Sequence, residues 1–156
     1  MLFLISFTAT SGTSSPQTLP STSTPNAVAA LWWADLAQAN GSSSAAASPG
    51  KIFWELGGTY PDRFFTAYWV SYQHYSTTFP TGTVTGHIRV FENGNRVELV
   101  CDTCSGNGTI AHTQGVENGA GSSAVTVTGR NNAATATVSN DRQSIVVNSG
   151  AGSFCE

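Results

Sequence analysis

Charge is what this sequence has least of. Charged residues make up 10% of the chain, against roughly 25% in ordinary soluble proteins, and Lys51 is the only lysine. The five arginines, Arg63, Arg89, Arg96, Arg130 and Arg142, are scattered singly, and the formal net charge is −3. Nucleic acid is excluded as a partner, because neutralising phosphates takes a basic stripe. No apolar run reaches the roughly 20 residues that cross a bilayer, so no membrane-spanning segment is expected. Chemical motifs are also missing. There is no G-x-S-x-G for a nucleophilic serine and no phosphate-cradling loop. His74, His87 and His112 lack the H-x-H or H-E-x-x-H spacing of metal ligands. Nothing among the carboxylates selects the flanking pair that glycoside hydrolysis requires. The expectation is a protein that is not an enzyme, with no catalytic residues, no cofactor and no metal.

Ser, Thr, Asn, Gly and Ala fill the places that charge usually holds. Hydroxyls and amides keep a surface wet through hydrogen bonds and leave little repulsion between copies. Such a surface tolerates crowding outside the cell or on a cell or virion surface. Two glycosylation sequons, at Asn40 and Asn107, fit that location. At 156 residues the chain is long enough for one domain and short for two.

The cysteines are Cys101, Cys104 and Cys155, an odd number. The string Cys101-Asp102-Thr103-Cys104-Ser105-Gly106-Asn107-Gly108 resembles one repeat of the zinc-binding C-x-x-C-x-G-x-G pattern of the DnaJ chaperone family. The likeness covers those eight residues. That family uses several copies, since tetrahedral zinc takes four ligands; here there is one copy, and no spacing fixes His87 or His112 as a further ligand. The disulfide reading is therefore preferred, with Cys155 pinning the chain end to Cys101 or Cys104. The remaining thiol is then free or pairs between molecules.

The N-terminus opens on an apolar segment, Leu2, Phe3, Leu4, Ile5 and Phe7. It reads either as the remnant of a secretory signal or as a strand with both faces buried. Ser, Thr and Pro then dominate as far as Thr24, the composition of a linker or extended arm. Residues 1–24 are thus expected to be an arm and 25–156 a single β-rich domain. An apolar strand on a flexible tether is what strand exchange between subunits requires. The domain is predicted to begin with a helix at about 27–39. Asn26 caps it, Val28, Leu31, Trp32, Leu36 and Ala39 form one face, and Asn40-Gly41 ends it.

Beyond Lys51 the pattern is that of strands. Ile52–Leu56 is short and apolar. Arg63–Tyr75 is long and aromatic, with aromatics on both faces, which suggests a central strand or a bend within it. Thr83–Phe91 and Arg96–Cys101 alternate around Glu92-Asn93-Gly94-Asn95, a hairpin turn in which Asn-Gly accommodates positive φ. The Gly-rich stretch Ser105–Ser122 reads as loop with room for a short strand near Thr109–Gln114, and short strands follow at Ala124–Thr128, Ala133–Val138 and Ser144–Val147. Turns at Gly129–Asn132 and Asn140-Asp141 separate them. The expected fold class is all-β, an antiparallel sandwich or jelly-roll-like domain with one N-terminal helix and an extended arm.

Two functions fit these residues. The first is a self-assembling, secreted structural subunit of a filament, pilus-like fibre, surface layer or capsid. Its partners are copies of itself, and its N-terminal segment inserts into a neighbour. The second is a lectin-like adhesion module that binds glycans. Trp54, Tyr60, Tyr68, Trp69, Tyr72 and Tyr75 are then the candidate rings for stacking on sugar faces.

Overall fold

The computed structural model describes residues 4–6, 15–37, 50–75, 82–106, 108–134 and 137–147. Within them the chain is all-β. Its strands are β1 (Leu4–Ser6), β2 (Val28–Trp33), β3 (Leu36–Ala37), β4 (Lys51–Gly57), β5 (Phe64–His74), β6 (Thr83–Phe91), β7 (Arg96–Cys104), β8 (Ala111–Glu117), β9 (Ala124–Ala134) and β10 (Val138–Val146). Every pairing is antiparallel, and two sheets result. One has the order β1-β2-β8-β9. The other runs β10-β7-β6-β5, and β5's far edge is shared by β3, which pairs with Gln73 and His74, and β4, which pairs with Phe64–Val70. The sheets meet where β2 lies over β6 and β7.

The predicted helix at 27–39 is not what forms. Val28–Trp33 is a strand, and all six residues are buried. An apolar run without period-2 alternation reads equally as a helix face or as a strand covered on both sides. Here both sides are covered. Ala29, Leu31 and Trp32 enter the main core, while Val28, Ala30 and Trp33 pack under Leu19. The register with β8 slips between Ala30 and Trp33. That slip lets consecutive residues Leu31 and Trp32 both turn inward. Gly86 of β6 makes room for this strand, since a Cβ there would lie 3.0 Å from Leu31 Cδ2 and collide with the Val100 carbonyl.

Irregularities of this kind recur and explain the other differences from expectation. In β5, Ser71 has φ 55° and the pairing shifts between Trp69 and Tyr72. The bend anticipated in the aromatic run is this bulge, and it places Trp69, Tyr72 and His74 all on the core side. In β7 the register shifts opposite Thr85 and Gly86. Residues 101 and 104 would face opposite sides of a regular strand. With the shift both are fully buried and joined in a disulfide, Cα to Cα 5.6 Å. The preferred pairing with Cys155 is thus corrected, because Cys101 and Cys104 bond to each other; Cys155 lies outside the described residues. The turn signals at Gly129–Asn132 mark a bulged part of β9 rather than a strand end, and Asn140 lies within β10, whose register with β7 does not shift. Gly129, Asn132 and Asn140 have positive φ, yet β9 and β10 run through them.

The Ser/Thr/Pro-rich stretch is docked where it is described. Residues 15–27 lie against the face of the four-stranded sheet that points away from the core. Leu19 exchanges two hydrogen bonds with the Asn131 side chain, at 2.8 and 2.7 Å. Thr113 Oγ1 donates to the Gln17 carbonyl, and the Ser21 amide donates to Glu117 Oε1 at 2.6 Å. A linker composition cannot form its own core, but its backbone can pair with polar side chains of a sheet. Gly121, at φ 63°, is required for this contact, since a Cβ there would collide with the Ser21 carbonyl. Burial raises the Glu117 pKa, and the Ser21 amide partly opposes that.

Candidate functional site

The feature that needs a functional account is β4. Its sequence, Lys51-Ile52-Phe53-Trp54-Glu55-Leu56-Gly57, is that of a buried strand, but almost all of it is exposed. Phe53 is 51% accessible, Trp54 68%, Leu56 73%, and Tyr60 in the following turn 79%. The strand pairs with β5 on one side only, so its outer edge carries unpaired N–H and C=O groups among the described residues. Ile52, Trp54 and Leu56 lie on the same side of the sheet as Phe65, Ala67 and Trp69, which face the core. The Trp54 ring stacks at 6.5 Å on Phe65. These residues therefore continue the core surface past the point where described residues of the second sheet cover it.

The opposite side of β4 is polar and braced. Glu55 Oε1 accepts a 2.6 Å hydrogen bond from the Tyr68 hydroxyl and lies 3.4 Å from Arg89 Nη2. Arg89 also donates to Thr66 Oγ1 at 2.9 Å and sits 4.4 Å over the Phe64 ring. The bond to Glu55, helped by burial, pushes the Tyr68 phenol above its ordinary pKa. Lys51 and Phe53 share this side with Glu55, and Lys51 makes no ion pair among the described residues. β4 thus presents apolar side chains on both faces and one charge of each sign on a single face.

A second cluster lies in the core. His74, Trp32 and His112 come from β5, β2 and β8, and all are fully buried. The rings of Trp32 and His112 stack at 3.5 Å and 8°. His74 Nε2 is 2.9 Å from the Ser105 carbonyl and 3.4 Å from Trp32 Nε1. One nitrogen cannot donate to the first and accept from the second, so the shorter contact assigns its proton to the Ser105 bond. Burial lowers both imidazole pKa values, that of His112 to about 4. Both are neutral near pH 7. No group of three or more His, Cys, Asp and Glu side chains suited to a metal occurs among the described residues. An open cleft of about 470 Å³ between residues 125–128 and 143–146 is lined by Val, Thr, Ser, Gln and Ile. Such a lining carries no acid, base or nucleophile pair.

The candidate residues divide sharply. Trp54, Tyr60 and Tyr75 are exposed, and Tyr68 is half-buried. Trp69 and Tyr72 are core residues, 5% and 1% exposed, and cannot stack on a ligand. Leu4 and Ile5 lie in β1, paired with Ala30 and Ala29 of the same chain. Leu2, Phe3, Phe7, Asn40 and Asn107 fall outside the described residues. Ile52, Phe53 and Leu56 were not singled out by the sequence, because a short apolar run implies burial. The signal available was Lys51 and Glu55 on alternate positions of that run, an edge-strand feature.

No curated protein and no solved structure matches the chain. The family model described as NIDO related matches residues 4–155, nearly the whole length. No helix among the described residues is long and apolar enough to cross a membrane. The chain belongs to the NIDO-related family and is an extracellular-type protein.

Proposed function

We propose that this chain is a non-enzymatic structural subunit of an extracellular assembly, and that it contacts copies of itself through β4. The observation that carries this reading is the exposed edge strand with Phe53, Trp54 and Leu56 uncovered. Natural sheets protect their edges with charge, proline or short strands, and an apolar edge left open is a pairing site. The low charge of the chain leaves little repulsion to oppose contact. A second contact comes from β1, which among the described residues pairs with only one neighbour, at the margin of its sheet. The same segment supplied by an adjacent copy makes the same pairing, so strand exchange links copies into a polymer.

Size-exclusion chromatography with light scattering over a concentration series tests the reading. The wild-type protein is expected to self-associate, and Leu56→Lys to weaken association at least tenfold. Burying a leucine contributes about 1.5–3 kcal/mol, and about 1.4 kcal/mol is tenfold in affinity. A wild-type protein that stays monomeric at high concentration rules the reading out.

The second reading is glycan binding. Trp54 and Tyr60 are exposed rings close in sequence, and Arg63 sits 5.8 Å over the Tyr60 ring, while the Glu55, Tyr68 and Arg89 group lies on the face of β4 opposite Trp54. Retention on polysaccharide that Trp54→Ala abolishes, with no change in oligomeric state, favours it over self-association.

A further inference from the structure

We infer that two copies pair β4 with β4 in antiparallel fashion about a two-fold axis at Phe53, so that one sheet runs continuously through both molecules. This rests on the self-association proposed above and specifies its register. The axis of such a pair stands perpendicular to the sheet, and residues opposite one another must point to the same side. Only registers centred on a residue meet that condition, because neighbours in a strand point to opposite sides.

The side chains choose among these registers. Centring on Glu55 or Lys51 sets a like charge against itself. Centring on Ile52 places Lys51 opposite the partner's Phe53. Centring on Trp54 places Glu55 opposite the partner's Phe53, and Lys51 opposite the partner's Gly57. Centring on Phe53 sets Lys51 opposite the partner's Glu55, and the two-fold repeats that pair. Ile52 then faces the partner's Trp54 on the other side of the sheet, again twice, and the two Phe53 rings meet at the axis. Opposite charges and aromatic–β-branched pairs are the favourable cross-strand combinations. Glu55 is already oriented on that face by Tyr68 and Arg89, and Lys51 has no ion-pair partner among the described residues. The same pairing satisfies the open edge of β4.

Two experiments on the full-length chain, both in a Cys155→Ser background, test the register. Directly opposed residues have Cα atoms about 4.5–5.5 Å apart, within disulfide reach. Phe53→Cys is therefore expected to form a covalent dimer under mild oxidation at least tenfold faster than Trp54→Cys, whose counterpart across the axis is displaced by two residues. Separately, Lys51→Glu and Glu55→Lys are each expected to associate at least tenfold more weakly than the parent, and an equimolar mixture to regain the affinity as a mixed dimer. If the parent associates but Phe53→Cys does not cross-link preferentially and the mixture regains nothing, the register is wrong while self-association stands. If the parent is monomeric at high concentration, both fail.

Discussion

Replacing Trp32 by alanine is expected to remove about 4 kcal/mol of stability, a large part of the roughly 5–15 kcal/mol that holds a domain of this size together. Trp32 is fully buried, and it is among the largest side chains in the core. It stands where the layers meet, stacked on His112 of its own sheet and against His74 of the other. Truncation opens a cavity between sheets that also rely on Leu31, Ile88 and Leu99 for contact. It also removes the ring that stacks on His112 and contacts His74. Urea unfolding under monomeric conditions measures the effect, with Trp54→Ala as the control. Trp54 is 68% exposed, so its loss is expected to cost at most about 1 kcal/mol. Equal costs at the two positions would mean that the core is not where β2 crosses β6 and β7.

Acid is the second large effect. The His112 pKa is about 4 in the folded protein, against an ordinary value of 6.5. Between those values the unfolded chain binds a proton that the folded chain refuses. Stability is therefore complete above pH 6.5 and is lost as pH falls toward 4. The loss from His112 alone is roughly 3 kcal/mol, at about 1.4 kcal/mol for each pH unit of displacement. His74 is displaced in the same direction, also by burial, and adds to it. Glu117 acts oppositely. Its raised pKa contributes stability at low pH that is lost as pH rises through the folded value, so it offsets part of the acid loss. Unfolding free energy measured from pH 7 to pH 4 should fall steeply in the wild-type protein and less steeply in His112→Phe, which keeps a ring against Trp32 but cannot titrate. Identical slopes would show that His112 is already accessible to protons in the fold.

How much of this was legible in the sequence depends on what each residue's placement requires. The β6–β7 hairpin was legible because both signals are local. Val84, Gly86, Ile88 and Val90 alternate inward, and Gly94 and Asn95 take the positive φ that their turn requires. β2 was not, because Val28–Trp33 is apolar at every position and the distinction from a helix lies in what covers its second face. That cover is the arm, whose composition suggested a free linker. Gly129, Asn132 and Asn140 are legible as unusual backbone positions, but a turn, a bulge such as that of β9 and a positive φ inside an unshifted strand such as β10 draw on the same residues. The Cys101–Cys104 bond depends on a register slip that no spacing reveals. β4 was read correctly as a strand, and its exposure was missed for the same reason as the arm. Burial belongs to the neighbours, and the sequence of Lys51–Gly57 names none.

That exposure is also what supports the proposed function. A core buried between two sheets leaves β4 outside the overlap, with apolar side chains on both faces and an open hydrogen-bonding edge. The His74–Trp32–His112 cluster and the Arg130–Gln114–Asp141 contacts, which tie β9 and β8 to β10, hold the two layers together. They leave β4 free to engage another molecule.

Hydrogen exchange along β4, followed by mass spectrometry from dilute to concentrated protein, is the most direct measurement. If β4 is the contact between copies, the peptide covering residues 51–57 gains protection as concentration rises, while peptides from the β6–β7 hairpin stay unchanged. Exchange in residues 51–57 that is rapid and identical at every concentration, in a sample that nevertheless associates, would contradict it.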